Sequence, residues 1–263
     1  MTDITDTLIL PLTVFIVDDE PLARSRLKDL LVDCSAQIEL QVVGEAGNGQ
    51  EALDKLNETP AEVVLMDIRM PQMDGLELAL HLNKLEHPPI IIFTTAYDAY
   101  AIQAFELRAI DYLLKPIRLG RLFEAISRAR DAVPIRTEVL RELIPEARTH
   151  LSAHERGKVI LIPIEDVVYL RAEMKYVTVR TASHEYLIEE SLTALEKEYA
   201  ARFVRIHRSC LVAKAAIAGF EKGGEEGESG WQMKLHGLEE RLPISRRQWS
   251  SVKALGDVQE QGE

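Results

Sequence analysis

The sequence predicts two domains of different fold class: an α/β domain built on a doubly wound five-stranded parallel sheet, then a mainly β-strand domain. In the first half, short continuous apolar runs alternate with amphipathic segments, which is typical of buried parallel strands joined by helices. In the second half, many short strand patterns are separated by turn residues. A chain of 263 residues is long enough to bury one core in each half.

Five strand-and-helix units fit the first half. Strands are expected at 13–17, 40–44, 62–66, 90–93 and 111–114. Helices are expected from Pro21 onward, at 50–56, near 76–82, near 97–105 and at 119–129. In the first helix we expect one face to be buried, formed by Leu22, Leu27, Leu30 and Leu31.

The second half shows a different pattern of predicted elements, mostly short strands. Short strands are expected at 159–162, 167–170, 176–180, 185–188, 203–206, 217–220, 232–235 and 240–242. A helix is expected at 192–199, capped by Ser191, and another at 245–255. The glycine-rich acidic stretch 223–230 is expected to be a hairpin loop, because it lacks the Lys-Ser/Thr ending of a phosphate-binding loop.

These patterns divide the chain into five parts. We predict an N-terminal extension at 1–12, the α/β domain at 13–132, a polar linker at 133–150, the β-strand domain at 151–255 and a tail at 256–263.

Composition excludes some classes of protein. The net charge of −12 argues against nonspecific binding of polyanions by the whole molecule. Residues 1–133 carry −10 of it and residues 134–263 only −2. No apolar run approaches the roughly 20 residues of a membrane span, and the start lacks a secretory signal, so we expect a cytoplasmic protein without membrane insertion. Cys34 and Cys210 are expected to be buried thiols.

Polar residues stand at the carboxyl ends of the predicted parallel strands. Asp18 and Asp19 follow the first strand, Asp67 the third, Thr95 the fourth and Lys115 the fifth. Such ends meet at one edge of a doubly wound sheet. Crowded carboxylates repel one another, and Mg²⁺ relieves that repulsion while leaving one carboxylate able to attack phosphorus. The alternative is that an Asp pair at a strand end only caps a helix or forms a turn.

Four motifs in these positions resemble the receiver domain of two-component response regulators, over about residues 13–132. They are VDDEP at 17–21, LMDIRMPQMDG at 65–75, TTA at 94–96 and DYLLKP at 111–116. The resemblance implies a flavodoxin-like, CheY-like fold with Asp67 as phosphoacceptor. It implies Mg²⁺ ligands at Asp19, Asp67 and the backbone carbonyl of Arg69, with Asp18 acting through water.

The same resemblance implies roles for the far side of the pocket. Lys115 should contact the phosphate, and Thr95 and Tyr112 should form the switch pair. It also implies a cis peptide bond before Pro116.

The second half shows no catalytic set, so we expect no enzyme activity there. Its histidines have no metal-binding spacing, and no nucleophile elbow is present. Two segments without acids, 202–214 and 241–253, carry three Arg and one Lys each. On composition alone, binding to DNA phosphates and an ordinary solvated charged face explain these segments equally well.

Three segments of this half resemble the LytTR DNA-binding domain: IEDVVYLRAEMKYV at 164–177, FVRIHRSCLV at 203–212 and LPISRR at 242–247. The whole arrangement is similar to the AlgR-like branch of the LytR/AlgR family. The resemblance implies DNA contacts by Lys175, His207, Arg208, Lys214, Arg246 and Arg247. It assigns Arg205 and Ser209 an orienting role instead.

The first hypothesis is therefore a transcription regulator. A sensor histidine kinase of the LytS/AlgZ-like type would phosphorylate Asp67, the receiver would form a homodimer, and two output domains would bind paired half-sites in double-stranded DNA. The alternative is a phosphorylation-gated protein-interaction module, favoured by the small net charge of the output half.

Overall fold

The computed structural model describes residues 11–96, 111–130, 132, 147–222 and 230–256. The chain divides into two compact units. The first comprises Met1–Glu146 with Glu155–Val159, and the second comprises Ala147–His154 with Ile160–Glu263. No helix in the described ranges combines the length and low charge that crossing a bilayer requires.

The first unit contains a five-stranded parallel sheet of order β2-β1-β3-β4-β5. Its strands are β1 (Leu12–Val17), β2 (Leu40–Ala46), β3 (Val63–Asp67), β4 (Ile90–Thr95) and β5 (Asp111–Leu114). Its helices are α1 (Pro21–Ser35), α2 (Gly49–Glu58), α3 (Gly75–Leu82) and α4 (Leu119–Ala129). This order defines the flavodoxin-like doubly wound fold and confirms the predicted fold class. The helix predicted near 97–105 lies outside the described residues.

The core of the first unit explains why its strands could be predicted from the sequence. All residues of β3 and β4 are buried, so these strands are continuous apolar runs. In α1, Leu27 and Leu31 face the sheet, but the expectation for Leu22 was wrong, because its side chain is 84% exposed. Leu22 lies five residues before Leu27, which places it about 140° away around the helix axis.

The second unit is built mainly from antiparallel strands. One sheet has the order β10-β9-β8-β12-β11, a second the order β13-β14-β15, and β6 pairs with β7. The strands are β6 (His150–Glu155), β7 (Lys158–Pro163), β8 (Val167–Glu173), β9 (Tyr176–Thr181), β10 (Glu185–Ile188), β11 (Phe203–His207), β12 (Cys210–Ala213), β13 (Ile217–Lys222), β14 (Trp231–Leu235) and β15 (Leu238–Ile244). Helices α5 (Leu192–Glu198) and α6 (Trp249–Gly256) complete the described elements.

Two apolar clusters lie on opposite faces of the five-stranded sheet. Leu170 of β8 and Leu211 of β12 belong to the cluster that includes Leu195 of α5. The neighbouring Tyr169 points the other way and joins the cluster that includes Met233 of β14. The alternation of side chains along a strand thus places α5 on one face and the three-stranded sheet on the other.

The second half differs from expectation in two unpredicted strands and in one helix cap. Strands β6 and β12 were not predicted; β12 is fully buried and follows a turn at Arg208–Ser209 that contains no glycine, proline or asparagine. Ser191 does occupy the N-cap of α5, but its side chain makes no capping hydrogen bond. The hairpin predicted at 223–230 lies almost entirely outside the described residues.

Both cysteines are buried, as expected. Burial raises the pKa of the Cys34 thiol and raises that of Cys210 to about 12. Both thiols therefore stay protonated and behave as small apolar side chains.

Aromatic rings fix the start of α6 on the three-stranded sheet. The indole rings of Trp231 and Trp249 stack with their centroids 4.2 Å apart and their planes 8° from parallel. Phe220 meets Trp249 edge-on, at 5.5 Å between centroids. Stacked and edge-to-face pairs of this kind stabilise a contact beyond their buried area.

Candidate functional sites

An acidic pocket forms at the carboxyl ends of the parallel strands. Asp18 directly follows β1, and Asp67 is the last residue of β3. One carboxylate oxygen from each of Asp18, Asp19 and Asp67 lies within 4.8 Å of the others. Asp18 and Asp67 are buried and Asp19 is half-buried. The expectation that these strand ends meet at one edge is confirmed.

Lys115 lies between two of these carboxylates. Its Nζ donates to Oδ2 of Asp18 and to Oδ2 of Asp67, each at 2.7 Å. Its backbone N–H bonds to the carbonyl of Thr95 at 2.7 Å, so the residue is held beside the end of β4. The Lys115–Pro116 peptide bond is cis, which confirms the expected isomer.

Burial and pairing with Lys115 have opposite effects on the pKa of Asp67. Burial raises the pKa of Asp67, and the hydrogen bond from Lys115 only partly opposes this. Burial would lower the pKa of Lys115, but its bonds to Asp18 and Asp67 outweigh that effect and raise it. The Lys115 ammonium pairs with two of the three clustered carboxyl groups, and the three together are a hard oxygen donor set that suits Mg²⁺.

Backbone contacts hold the pocket's acids in place. The N–H of Glu20 donates to Oδ1 of Asp18 at 3.0 Å, and that of Arg69 donates to Oδ1 of Asp67 at 3.3 Å. A Cβ on Gly75 would come within 2.2 Å of the Asp67 carbonyl oxygen. Gly75 is a positioning residue that our sequence reasoning did not single out, although it ends the LMDIRMPQMDG motif.

The two predicted switch residues lie on adjacent strands. Thr95 ends β4 and is fully buried, whereas Tyr112 is the second residue of β5 and is half-buried. In the strand register Tyr112 pairs with Phe93, two residues before Thr95. Their geometry is thus compatible with the switch role, which remains a prediction.

In the second unit, three connections lie at one end of the five-stranded sheet. The N–H of Ala172, near the end of β8, donates to the carbonyl of Ser209 at 2.8 Å. The N–H of Ser245, after β15, donates to the carbonyl of Ile206 at 2.9 Å. These bonds tie together the β8–β9 turn, the β11–β12 turn and the loop from β15 to α6. The predicted DNA-contacting residues on these connections are Lys175, His207, Arg208, Arg246 and Arg247.

Most of these cations are exposed. Arg208, Arg246 and Arg247 are exposed, and within the described part of the chain none of them forms an ion pair. Lys175 is also exposed, with its Nζ 4.7 Å from the centroid of the Tyr176 ring. Exposed guanidinium groups without protein partners are well suited to phosphate oxygens and guanine edges.

The remaining predicted contacts have protein partners. Nδ1 of His207 lies 2.8 Å from Oγ of Ser209, which fixes the ring beside the turn. Nζ of Lys214 donates to the carbonyls of Ala200 and Ala201, at 3.1 and 3.0 Å. The ammonium of Lys214 thus supports the turn after α5, and its contact with a DNA phosphate stays a prediction.

Two family models match the chain. The response regulator receiver domain matches residues 14–127, and the LytTr DNA-binding domain matches residues 157–257. A curated relative, the positive alginate biosynthesis regulatory protein of Pseudomonas aeruginosa, is 41% identical over 93% of this chain and 98% of its own length. The chain belongs to the LytTr-type response regulators.

Other relatives of this LytTr-type response regulator include the sensory transduction protein LytT of Bacillus anthracis, 36% identical over 75% of this chain and 81% of that protein. A solved structure, the response regulatory domain of protein mrkE from Klebsiella pneumoniae, is 32% identical, with a TM-score of 0.40, and covers 46% of this chain and 96% of that one.

Membership in this family decides between the two hypotheses. The chain is a two-component response regulator with a DNA-binding domain, a transcription regulator rather than an enzyme. Its receiver domain implies a histidine kinase as phosphodonor, and its LytTr domain implies DNA as target. The predicted domain bounds and the roles of single site residues stay predictions.

Proposed function

We propose that phosphorylation of Asp67 controls sequence-specific binding of double-stranded DNA by the second domain of this response regulator. The observation that carries the proposal is the pocket itself. Three carboxylate oxygens lie within 4.8 Å of one another, and the Lys115 ammonium is 2.7 Å from Asp67. Such a site can accept a phosphoryl group only when additional positive charge balances the acids.

The pocket residues take different parts in the transfer. Asp19, Asp67 and the carbonyl of Arg69 would hold Mg²⁺, with Asp18 contributing through water, and the ion would offset charge on the phosphoryl oxygens. An oxygen of Asp67 attacks the phosphorus of the kinase phosphohistidine. The new O–P bond forms as the N–P bond breaks, and the bonding electrons return to the imidazole nitrogen. The Lys115 ammonium then pairs with a phosphoryl oxygen.

The phosphoryl group adds about −1.5 to −2 charge beside buried β-strand ends. The Thr95 hydroxyl moves to bond it, and Tyr112 follows into the space behind. We propose that this state favours a receiver homodimer, which presents two LytTr domains to paired half-sites. We propose that the protein is cytoplasmic, because both DNA and the phosphorylated histidine of the kinase are accessible there.

At the DNA, we propose contacts by Lys175, His207, Arg208, Lys214, Arg246 and Arg247. Arg208 and Arg246 are assigned the leading part, because both are exposed and lie on two connections that the Ser245–Ile206 hydrogen bond holds together. Arginine reads guanine edges bidentately in the major groove.

The phosphorylation step is tested with a small phosphodonor and Mg²⁺. The wild-type chain should take up one phosphoryl group and lose that ability when Mg²⁺ is chelated. Asp67→Asn should abolish uptake, whereas Asp54→Asn, at an exposed position of α2, should leave it unchanged. Continued labelling of the Asp67→Asn protein would show that another residue is the phosphoacceptor.

The DNA step is tested by selecting bound duplexes from a random library with the full-length chain. Arg208→Ala and Arg246→Ala should each weaken binding to the selected duplex by about 1–3 kcal/mol. Affinity should also fall steeply with salt. Arg180→Ala, at the end of β9 remote from the β8–β9 turn, is the control and should leave affinity unchanged. If both arginine variants bind like the wild type, the proposed interface is wrong.

A further inference from the structure

Arg205 of β11 is a basic residue that faces inward to the protein rather than outward to a ligand. Its Nε donates to Oε2 of Glu196 at 2.8 Å, and its Nη2 lies 2.7 Å from the same oxygen in an ion pair. Its Nη1 donates to the backbone carbonyl of Arg208, at 2.8 Å. The Arg205 side chain is 15% exposed, so it bridges α5 to the turn that carries Arg208.

Helix α5 is itself held by a second arginine. Arg148, near the start of the second unit, is 5% exposed and binds Glu198 through its Nε and Nη2, each at 2.8 Å. Its Nη1 and Nη2 also bind both carboxylate oxygens of Glu190, at 3.1 and 2.8 Å. These contacts connect the last residue of α5, Glu198, with Glu190, two residues before the helix begins.

A helix of seven residues needs such contacts, because so short a helix is unstable alone. Leu192 and Leu195 anchor its inner face in the core formed with Leu170 and Leu211. At the edges of that face, the half-buried Glu196 reaches Arg205 and the half-buried Glu198 reaches Arg148. The helix therefore has a fixed position from which Glu196 can orient a neighbouring loop.

We propose that α5 braces the DNA-reading turn, with Glu196 as a positioning residue that acts through Arg205 on the Arg208 backbone. This inference rests on the proposed DNA contact of Arg208. It also explains why Arg205 is not available to a ligand: its guanidinium binds the carboxylate of Glu196 and the backbone carbonyl of Arg208.

A positioning role of Glu196 and a simple charge effect of Glu196 predict opposite changes in DNA binding. If Glu196 only contributed negative charge near the DNA, its removal would strengthen binding to every duplex and steepen the salt dependence. If Glu196 positions the turn, its removal weakens binding to the selected duplex and leaves a scrambled duplex bound as well or better. The ratio of the two affinities separates these roles.

The experiment uses the full-length chain, the selected duplex and a scrambled duplex of equal composition. Glu196→Ala removes the acceptor at a helix position that alanine favours, and should lower the affinity ratio roughly tenfold. Glu196→Gln keeps an oxygen beside Arg205 and should lower it less. Glu185→Ala, on β10 at the opposite edge of the sheet from β11, removes an equal charge and should leave the ratio unchanged.

A second variant, Arg205→Gln, tests whether Arg205 braces the turn or instead contacts DNA directly. Arg205→Gln should mimic Glu196→Ala, and the double variant should lose no more than the stronger single one, because both remove the same brace. Tighter binding of the selected duplex by Glu196→Ala together with weaker binding by Arg205→Gln would overturn the inference. An unchanged ratio of the two affinities in Glu196→Ala would also overturn the inference, provided that Arg208→Ala still weakens binding. If Arg208→Ala has no effect on binding, the proposed DNA interface itself is wrong.

Discussion

Gly75 shows how a single missing side chain shapes the acidic pocket. Its N–H donates to the carbonyl of Ile68 at 2.8 Å, and its Cα lies against the backbone of Asp67. Any Cβ would press on the Asp67 carbonyl oxygen at 2.2 Å, and backbone cannot rotate away as a flexible side chain could. The geometry of the Asp67 carboxylate therefore depends on a residue eight positions later.

We predict that Gly75→Ala lowers the free energy of unfolding by about 1–3 kcal/mol, as overpacking does. It should also slow phosphoryl uptake, because the Asp67 backbone must shift. Urea unfolding and the rate of labelling by a small phosphodonor measure the two effects. Gly120→Ala is the control, since a Cβ there meets nothing within 4 Å and should be neutral or slightly stabilising.

The ionisation of Glu198 makes the stability of the second unit depend on pH. Burial raises its pKa, but the hydrogen bonds from Arg148 outweigh burial and hold the pKa below its ordinary value of 4.5. A carboxylate with a lowered pKa in the folded state stabilises the fold above its unfolded pKa. That stability is lost as the pH falls through the folded value.

We therefore expect the free energy of unfolding to decline as the pH falls below about 4.5. Glu198→Gln should cost about 1–3 kcal/mol at neutral pH and make this acid-side decline shallower. Urea titrations at several pH values test this, with Glu185→Gln as the exposed control. A variant whose acid-side decline matches that of the wild type would contradict the assignment.

At the scale of elements, two helix caps that look alike in sequence differ in the structure. Asn48 precedes α2, and its side chain accepts the N–H of Glu51 at 2.9 Å. Ser191 precedes α5 and makes no such bond. The position of α5 instead comes from Leu192 and Leu195 and from the ion pairs of its glutamates.

We predict that Asn48→Ala destabilises the first unit by about 1 kcal/mol, because a helix N–H loses its acceptor. Ser191→Ala should change stability by only a few tenths of a kcal/mol. Thermal unfolding of the two variants in parallel is a sufficient measurement. Equal losses in both would mean that the Ser191 hydroxyl caps α5 after all.

Sequence reasoning located the elements of the first unit well because buried parallel strands are continuous apolar runs. The acidic pocket was also predictable, since Asp67, Thr95 and Lys115 each stand at a strand end. The 2.7 Å contact of Lys115 with Asp18 was not, because it depends on how the strands align in space. In the second unit, β12 was missed because its preceding turn, Arg208–Ser209, contains no glycine, proline or asparagine. The Glu196–Arg205 pair leaves no signal in the sequence that distinguishes it from two solvated charges.

At the scale of the whole molecule, most of the negative charge lies in the first half, with −10 in residues 1–133. Two acidic receivers repel at low ionic strength, so the proposed receiver homodimer would need contacts that overcome this repulsion. The net charge of the second half is only −2, and its exposed Arg208, Arg246 and Arg247 lie on connected loops. The acidic receiver therefore disfavours nonspecific self-association, whereas the nearly neutral output domain does not strongly repel DNA.

We predict that phosphorylation shifts the full-length chain from monomer toward dimer in sedimentation experiments. The shift should grow with salt between low and physiological ionic strength, because screening weakens the repulsion. Binding to the selected duplex should tighten in parallel. Asp67→Asn treated with the same phosphodonor is the control, and a dimer that forms equally in that variant would separate dimerisation from phosphorylation.

The stacked pair of Trp231 and Trp249 gives the protein a built-in optical probe. The chain has only two tryptophans, and both lie in this stack, with Trp249 two residues after Arg247. All indole emission therefore originates beside the Arg246–Arg247 loop, and none comes from the receiver. Stopped-flow emission can accordingly follow the arrival of DNA in unlabelled, full-length protein, and a change in emission on phosphorylation alone would report a signal that has crossed from one domain to the other.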